Sequence, residues 1–566
     1  MDNIELIIGY NYLYDDTPLT VLEYLKGIRK ESLLTYSISY CHDISNHDVF
    51  YEFVNKDDKG TDYYERIVTK VNDAYNRGEK IKILNNRTSL HLLELILSND
   101  LNDEDLNLSD IEIRERLLKA YLLLNDEENS NGGDVSNPNE PIENLIIKIS
   151  LRAELYKYDN LFYYWLAQII KSIIFFQYAE QNLPKHLEIF LSEYNIKNWS
   201  KYIVYIHQIT VTSITDYVKD RSAALSSIII DPNDSEYDSK KLFIEKFCVP
   251  INYEKDEDFT ALKSMPIFFN KDENKYDILF LPFFVGKIYS CLYFIFKDIN
   301  NKLIGTSFHI NEDVFRIKYG LDFSEKHLLN IIMGNAFKGK YKHLGAKELK
   351  DKVLPDYYIR NGNKILLIEN KDNLILKGLM DKYDTEEFID KLKQCFIESY
   401  SSDKKKIKIK AIKQLSNNIC NILNGKWKSY DPNLKEKCCV IYPIIVVHHK
   451  EFTLSGINSK VNGWFKEELS SRGIDRKKVK NVTIIDIDTL IVYQGLLSES
   501  KNNIFNLIDE YWNNNNSNCK KKYSNEYEVI NSLPGKYKSF DKFIYSKLNK
   551  RNIFTRQIKQ YYKYLE

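Results

Sequence analysis

Residues 354–371 read Leu-Pro-Asp-Tyr-Tyr-Ile-Arg-Asn-Gly-Asn-Lys-Ile-Leu-Leu-Ile-Glu-Asn-Lys, which sets Asp356 on one side of a turn signal and Glu369 and Lys371 on the other. Asn361-Gly362-Asn363 supplies the positive φ of a tight hairpin, and both flanks are β-prone. A loop of Gly362 and Asn363 pairs Asn361 with Lys364 and ends with Asp356 across from Glu369, with Cβ atoms roughly 5 Å apart. Another loop choice slips the register by one or two residues and still leaves the carboxylates neighbours at the open end. Glu369 and Lys371, two apart, share a face of an extended strand. Two acids this close are costly unless they are protonated or neutralised, and a divalent metal is the usual neutraliser of an oxygen-only site. Magnesium fits. It would polarise a phosphoryl oxygen and acidify a bound water, while the Lys371 ammonium orients that water or offsets developing charge. That is the chemistry of phosphodiester hydrolysis. The bland alternative is a hairpin end whose acids pair with Arg360 or Lys371, a nearly neutral arrangement at a surface.

The elements around the motif must form a sheet that delivers it. Residues 365–368 are a continuous apolar run, as for a central strand buried on both faces, with Glu-Asn-Lys at its carboxyl end. Upstream, 324–337 has helical apolar spacing with Ser324 as N-cap. Downstream, 404–423 reads as a lysine-rich helix, 438–448 as a strong strand with Pro443 as an exception, 461–472 as a helix and 482–487 as another strand.

Pro355-Asp356 followed by Glu369-Asn370-Lys371 resembles the active-site signature of the PD-(D/E)xK nuclease superfamily, and the resemblance covers about residues 320–500. It implies a restriction-endonuclease-like core of αβββαβ order and magnesium-dependent cutting of nucleic acid, with Asp356 and Glu369 as metal ligands and manganese as a substitute ion. It also implies an extra acid on the first core helix, Glu325 or alternatively Glu348, and matches Gln414 to a polar active-site residue found after the motif in some branches. DNA is implied over RNA as substrate, and a role in restriction or defence against phage. The alternatives are a repair or transposition nuclease, or a non-catalytic nucleic-acid-binding or regulatory protein that keeps a nuclease-like fold.

The rest of the chain sets the frame. At 566 residues with 43% hydrophobic and 13% aromatic content, it is long enough for several cored domains. The expected fold class is multidomain α/β, a mixed α/β and helical N-terminal half followed by the αβββαβ core. Its expected parts are a mixed α/β region at 1–128, a turn-rich linker at 129–141, a helical module ending in strands at 142–300, the nuclease-like domain at 301–500 and a basic, aromatic segment at 501–566. The N-terminal half could recognise DNA, sense an intruder, or join copies or a partner protein.

Net charge is zero but uneven: 94–144 carries fourteen acids against three basic residues, and 520–566 twelve basic residues against four acids. In the basic end Lys520, Lys521, Lys522, Arg551 and Arg556 are interleaved with tyrosines, a mix suited to phosphate contact and base stacking, or else to a solvated helix whose tyrosines face the core. The eight cysteines show no zinc-ligand spacing or disulfide framework. With no signal-peptide pattern at the start, the expected setting is the cytoplasm. Two apolar stretches, 161–178 and 278–296, are interrupted by Gln168 and Lys171 and by Pro282, Gly286 and Lys287, so buried elements are expected rather than membrane spans, the second as a pair of strands.

Overall fold

Successive side chains of a strand point to opposite faces, and here the two faces belong to two different hydrophobic cores. A computed structural model describes residues 6–42, 53–54, 58–79, 81–101, 108–131, 140–219, 227–349, 354–375, 377–382, 384–400, 407–500, 502–516 and 535–565. Its centre is a five-stranded sheet of β1 (Lys342–Leu344), β2 (Tyr357–Asn361), β3 (Lys364–Lys371), β4 (Val440–Val447) and β5 (Thr483–Asp486). The spatial order is β5-β4-β3-β2-β1, antiparallel from β1 through β3 and parallel from β3 through β5. The turn residues set the register. Gly362 takes φ +61°, Asn361 pairs with Lys364 and Tyr357 with Ile368.

Tyr357, Ile359, Leu366, Ile368, Ile444 and Ile485 face one core, shared with helices of the 161–336 region and with residues 504–561. Tyr358, Ile365, Leu367, Ile441, Ile445 and Ile484 face the other, shared with the N-terminal region and with helices α3 (Ala411–Leu423) and α4 (Ile457–Ser471). Ile365 through Ile368 are all 0% exposed, as expected of a strand covered on both sides. Pro443 is tolerated inside β4 because no residue of β5 is paired with it; that ladder starts at Ile444.

Several expected elements are different in kind. Ser324 is no N-cap. A helical run starts at Glu312, capped by Asn311, and passes through α2 (Lys318–Leu329), wound as a π-helix, into Asn330–Ala336. Ser324 stays inside it because Asp372 accepts a hydrogen bond from its hydroxyl. The lysine-rich helix begins only at Ala411. Before it Ile407–Ile409 is a strand paired with Glu398–Tyr400, since Lys-Ile-Lys-Ile-Lys alternates with the period of two. Lys404, Lys405 and Lys406 lie outside the described residues. Within 278–296, the strand Lys275–Ile278 gives way to the helices Leu281–Gly286 and Leu292–Lys302, the first with Pro282 in its opening turn. A wholly apolar run carries no period to tell strand from buried helix. The expected linker loses its start to the helix Asp110–Asn131, while 132–139 lie outside the described residues.

The stretch from 161 forms the buried helix α1 (Leu161–Asn182). Lys171 inside it is 2% exposed, its ammonium 2.6 Å from Asp488 Oδ1 and over the Tyr289 ring. No described helix is long and apolar enough to cross a membrane. From the N-terminal region, buried Arg87 on the helix Asn86–Ser98 reaches Asp381 at 2.9 Å, tying that region to the segment that follows β3.

Candidate active site

The hairpin brings Asp356, Glu369 and Lys371 together at the carboxyl end of β3. The Asp356 N–H donates to Ile368 O at 3.0 Å, continuing the ladder, and its Oδ2 accepts the Asn370 N–H at 2.6 Å. Glu369, 0% exposed, receives the Lys371 ammonium at 2.9 Å on Oε2, and Lys371 lies 3.9 Å from Asp356 Oδ2. Glu369 Oε1 is buried without a hydrogen-bond partner among the described residues. Glu325 enters from α2 across the sheet. Burial, followed by the Asp356 charge, pushes its carboxyl up to about 9. Burial likewise raises Glu369, to about 8, against the pull of Lys371. Burial opposes the Lys371 charge, but Glu369 and Asp356 outweigh it and hold the ammonium above the usual lysine range. Three carboxyl groups thus surround one cation, and the cluster favours retaining a proton, with Glu325 and Glu369 both raised.

Of the two candidates for an extra acid, Glu325 adjoins the cluster. Glu348 is exposed and accepts the Gly345 N–H at 3.0 Å, closing the turn after β1. Gln414 lies half-buried in α3 with Oε1 unpartnered among the described residues, and no described contact links it to Asp356 or Glu369. In the basic end, Lys520, Lys521 and Lys522 lie outside the described residues. Arg551 pairs with Glu499 at 2.5 Å, and exposed Arg556 opens the short helix Arg556–Lys559. Tyr561 is 6% exposed and packs in the core, as in the solvated-helix alternative.

A second polar group, not anticipated from sequence, adjoins the first. Asp372, next after Lys371, accepts from Ser324, lies 3.2 Å from His449 Nε2 and 3.7 Å from Arg316, whose guanidinium also donates to the Asp372 carbonyl. Burial opposes its ionisation, but His448, His449 and Arg316 hold its carboxyl far below the usual range. His448 Nε2 donates to Asn370 Oδ1 at 2.8 Å, and burial depresses its pKa to about 4. The available signal was position: His448 and His449 follow a strand parallel to β3, so they arrive at the same edge.

Among the described residues no group of three or more His, Cys, Asp or Glu side chains is arranged to hold a metal ion. The fit for a magnesium ion therefore rests on Asp356 and Glu369, with the orphaned Glu369 Oε1 and the surplus of negative charge. Magnesium commonly takes one or two carboxylates and completes its shell with water and phosphate oxygens. Compared with known protein families, with curated proteins and with solved structures, the chain matches none.

Proposed function

We propose that the protein is a magnesium-dependent nuclease of the PD-(D/E)xK type that hydrolyses phosphodiester bonds, DNA before RNA, in restriction or defence against phage. The observation that carries this reading is the meeting of Asp356, Glu369, Lys371 and Glu325 at one strand end with more carboxylate than Lys371 neutralises. The run of helix, three antiparallel strands, helix and parallel strand, with the helix Thr385–Phe396 and a two-stranded ribbon inserted before α3, supports the restriction-endonuclease-like core. Asp356 and Glu369 would hold the ion, which when bound supplies Lewis acidity and a more acidic water. Asn370 fixes Asp356 through its backbone N–H, Lys371 holds positive charge next to the reacting phosphate, and Glu325 is a proton carrier beside Asp356. The closed Glu369–Lys371 contact favours a second reading, a nuclease-like fold that binds nucleic acid without cutting it.

The test is incubation of the purified chain with supercoiled plasmid and with RNA, in magnesium or in EDTA. Cleavage that needs magnesium or manganese supports the reading. Cleavage undiminished in excess EDTA, or none under any condition, overturns it.

A further inference from the structure

Beside this site a two-stranded ribbon, Glu398–Tyr400 paired with Ile407–Ile409, leaves its apolar side chains in solvent. Tyr400 is 61% exposed and Ile407, directly across from it, 58%. Ile409, two residues on and therefore on the same face, is 43% exposed. The reverse face carries the Ser399–Lys408 pair.

The ribbon is tied to the catalytic strand. The Lys410 N–H donates to Ile397 O at 2.9 Å, closing its base, and Lys410 is the N-cap of α3, which packs against β3. Neighbouring charges are neutralised: Lys413 pairs with Glu398, and Lys393 with Asp390. Lys408 and Lys410 have no such partner among the described residues. The Lys410 ammonium is depressed by burial and then by the like charges of Lys371, Lys408 and Lys391, so these cations crowd one another. Crowded, unpaired cations at the rim of a phosphodiester site are relieved by a polyanion. An exposed tyrosine and two isoleucines on the opposite face of the same narrow ribbon are the side chains that stack on, or wedge between, bases.

We infer that this ribbon is a nucleic-acid-binding wedge: Lys408 and Lys410 hold the phosphate backbone leading to Asp356 and Glu369, and Tyr400, Ile407 and Ile409 pack against unstacked bases beside it. The substrate class is nucleic acid with unpaired bases next to the cleaved phosphate: single strands, forks and frayed ends. The inference rests on the nuclease reading for the site the strand is led to, but not for binding itself.

Binding is therefore measured without turnover, by fluorescence anisotropy of the full chain in EDTA with a labelled single strand, a blunt duplex and a forked duplex. Tyr400→Ala with Ile407→Ser, both at exposed positions, is expected to weaken single-strand and fork binding by about tenfold, the loss of one stacked base at roughly 1–3 kcal/mol, and to leave the duplex within about twofold. Lys408→Gln is expected to reduce the slope of log affinity against log salt by about 0.7 on single strands. Unchanged fork affinity together with an unchanged slope overturns the inference. So does loss of self-association in sedimentation with nucleic-acid affinity intact, which would make the face a contact between two copies. If the variants bind as expected but the wild type cuts nothing in magnesium, the nuclease reading fails and the ribbon stands. If the wild type cuts and the variants bind like it, the ribbon fails alone.

Discussion

Glu369 and Asp372 lie three residues apart at the end of one strand, both almost wholly buried, and their surroundings are opposite. Asp372 is ringed by donors, namely the Ser324 hydroxyl, His449 and Arg316, and is held ionised. Glu369 shares a single cation with Asp356 and Glu325, keeps one oxygen unpartnered and is pushed upward. A satisfied buried charge stabilises a fold, whereas an under-neutralised one is tolerated where function needs it. The difference separates a fastening from a working group, although the two sites touch through Asn370, Lys371 and α2.

The largest effect expected of that contrast is on turnover. Glu369→Gln and Asp356→Asn should each lower magnesium-dependent cleavage at least about a hundredfold, the order associated with one preorganised electrostatic group, with the melting temperature unchanged or raised. A Glu369→Gln protein that cuts at the wild-type rate removes the distinction. Asp372→Ala should instead cost about 3 kcal/mol in urea unfolding, since it strands Arg316 and the Ser324 hydroxyl. If it abolished cleavage at undiminished stability, Asp372 would belong with the working groups.

Metal should sharpen the comparison further. At a hundredfold excess over its dissociation constant, magnesium is expected to stabilise the wild type by about 2.7 kcal/mol and Glu369→Gln hardly at all, while calcium binds without turnover. Equal stabilisation of both proteins would place the ion elsewhere.

The smallest effect is on pH dependence. Glu325 is raised in the folded state, to about 9 from 4.5, so its contribution is complete below the unfolded value and is lost as pH rises through the folded one. The metal-free protein should accordingly lose on the order of 1–2 kcal/mol between pH 5 and 9, allowing for solvent screening, and Glu325→Gln should flatten that slope. An unchanged slope in the variant would put the retained proton on another group.

The hairpin and its register were legible because Asn361-Gly362-Asn363 specifies a backbone conformation locally, and the turn alone then sets which residues of β2 and β3 stand opposite each other. The three motif residues follow from that register, and their meeting needs nothing from the rest of the chain. What was misread depends on distant partners. Ser324 has N-cap chemistry, yet its hydroxyl is claimed by Asp372, 48 positions on, and the helix runs through it. His448 and His449 gain meaning only when β4 lies parallel beside β3. Lys171, which looked like an interruption of an apolar span, is buried because Asp488 and Tyr289 receive it.

The sheet that serves both cores also imposes an order on synthesis. Residues as early as Ile8 and as late as Ile484 meet on one face of it, so the N-terminal helices leave the ribosome before the wall they pack against exists. At ordinary elongation rates the stretch between Tyr156 and Ile484 takes on the order of tens of seconds to appear. During that time the first helices can pack on one another but not on the sheet, and β3 has no β4 to pair with. Completion of the core that Ile8 and Ile484 share is therefore a late event. Chains stalled before residue 440 should be sensitive to protease throughout their N-terminal region, and the full-length chain should refold slowly from urea.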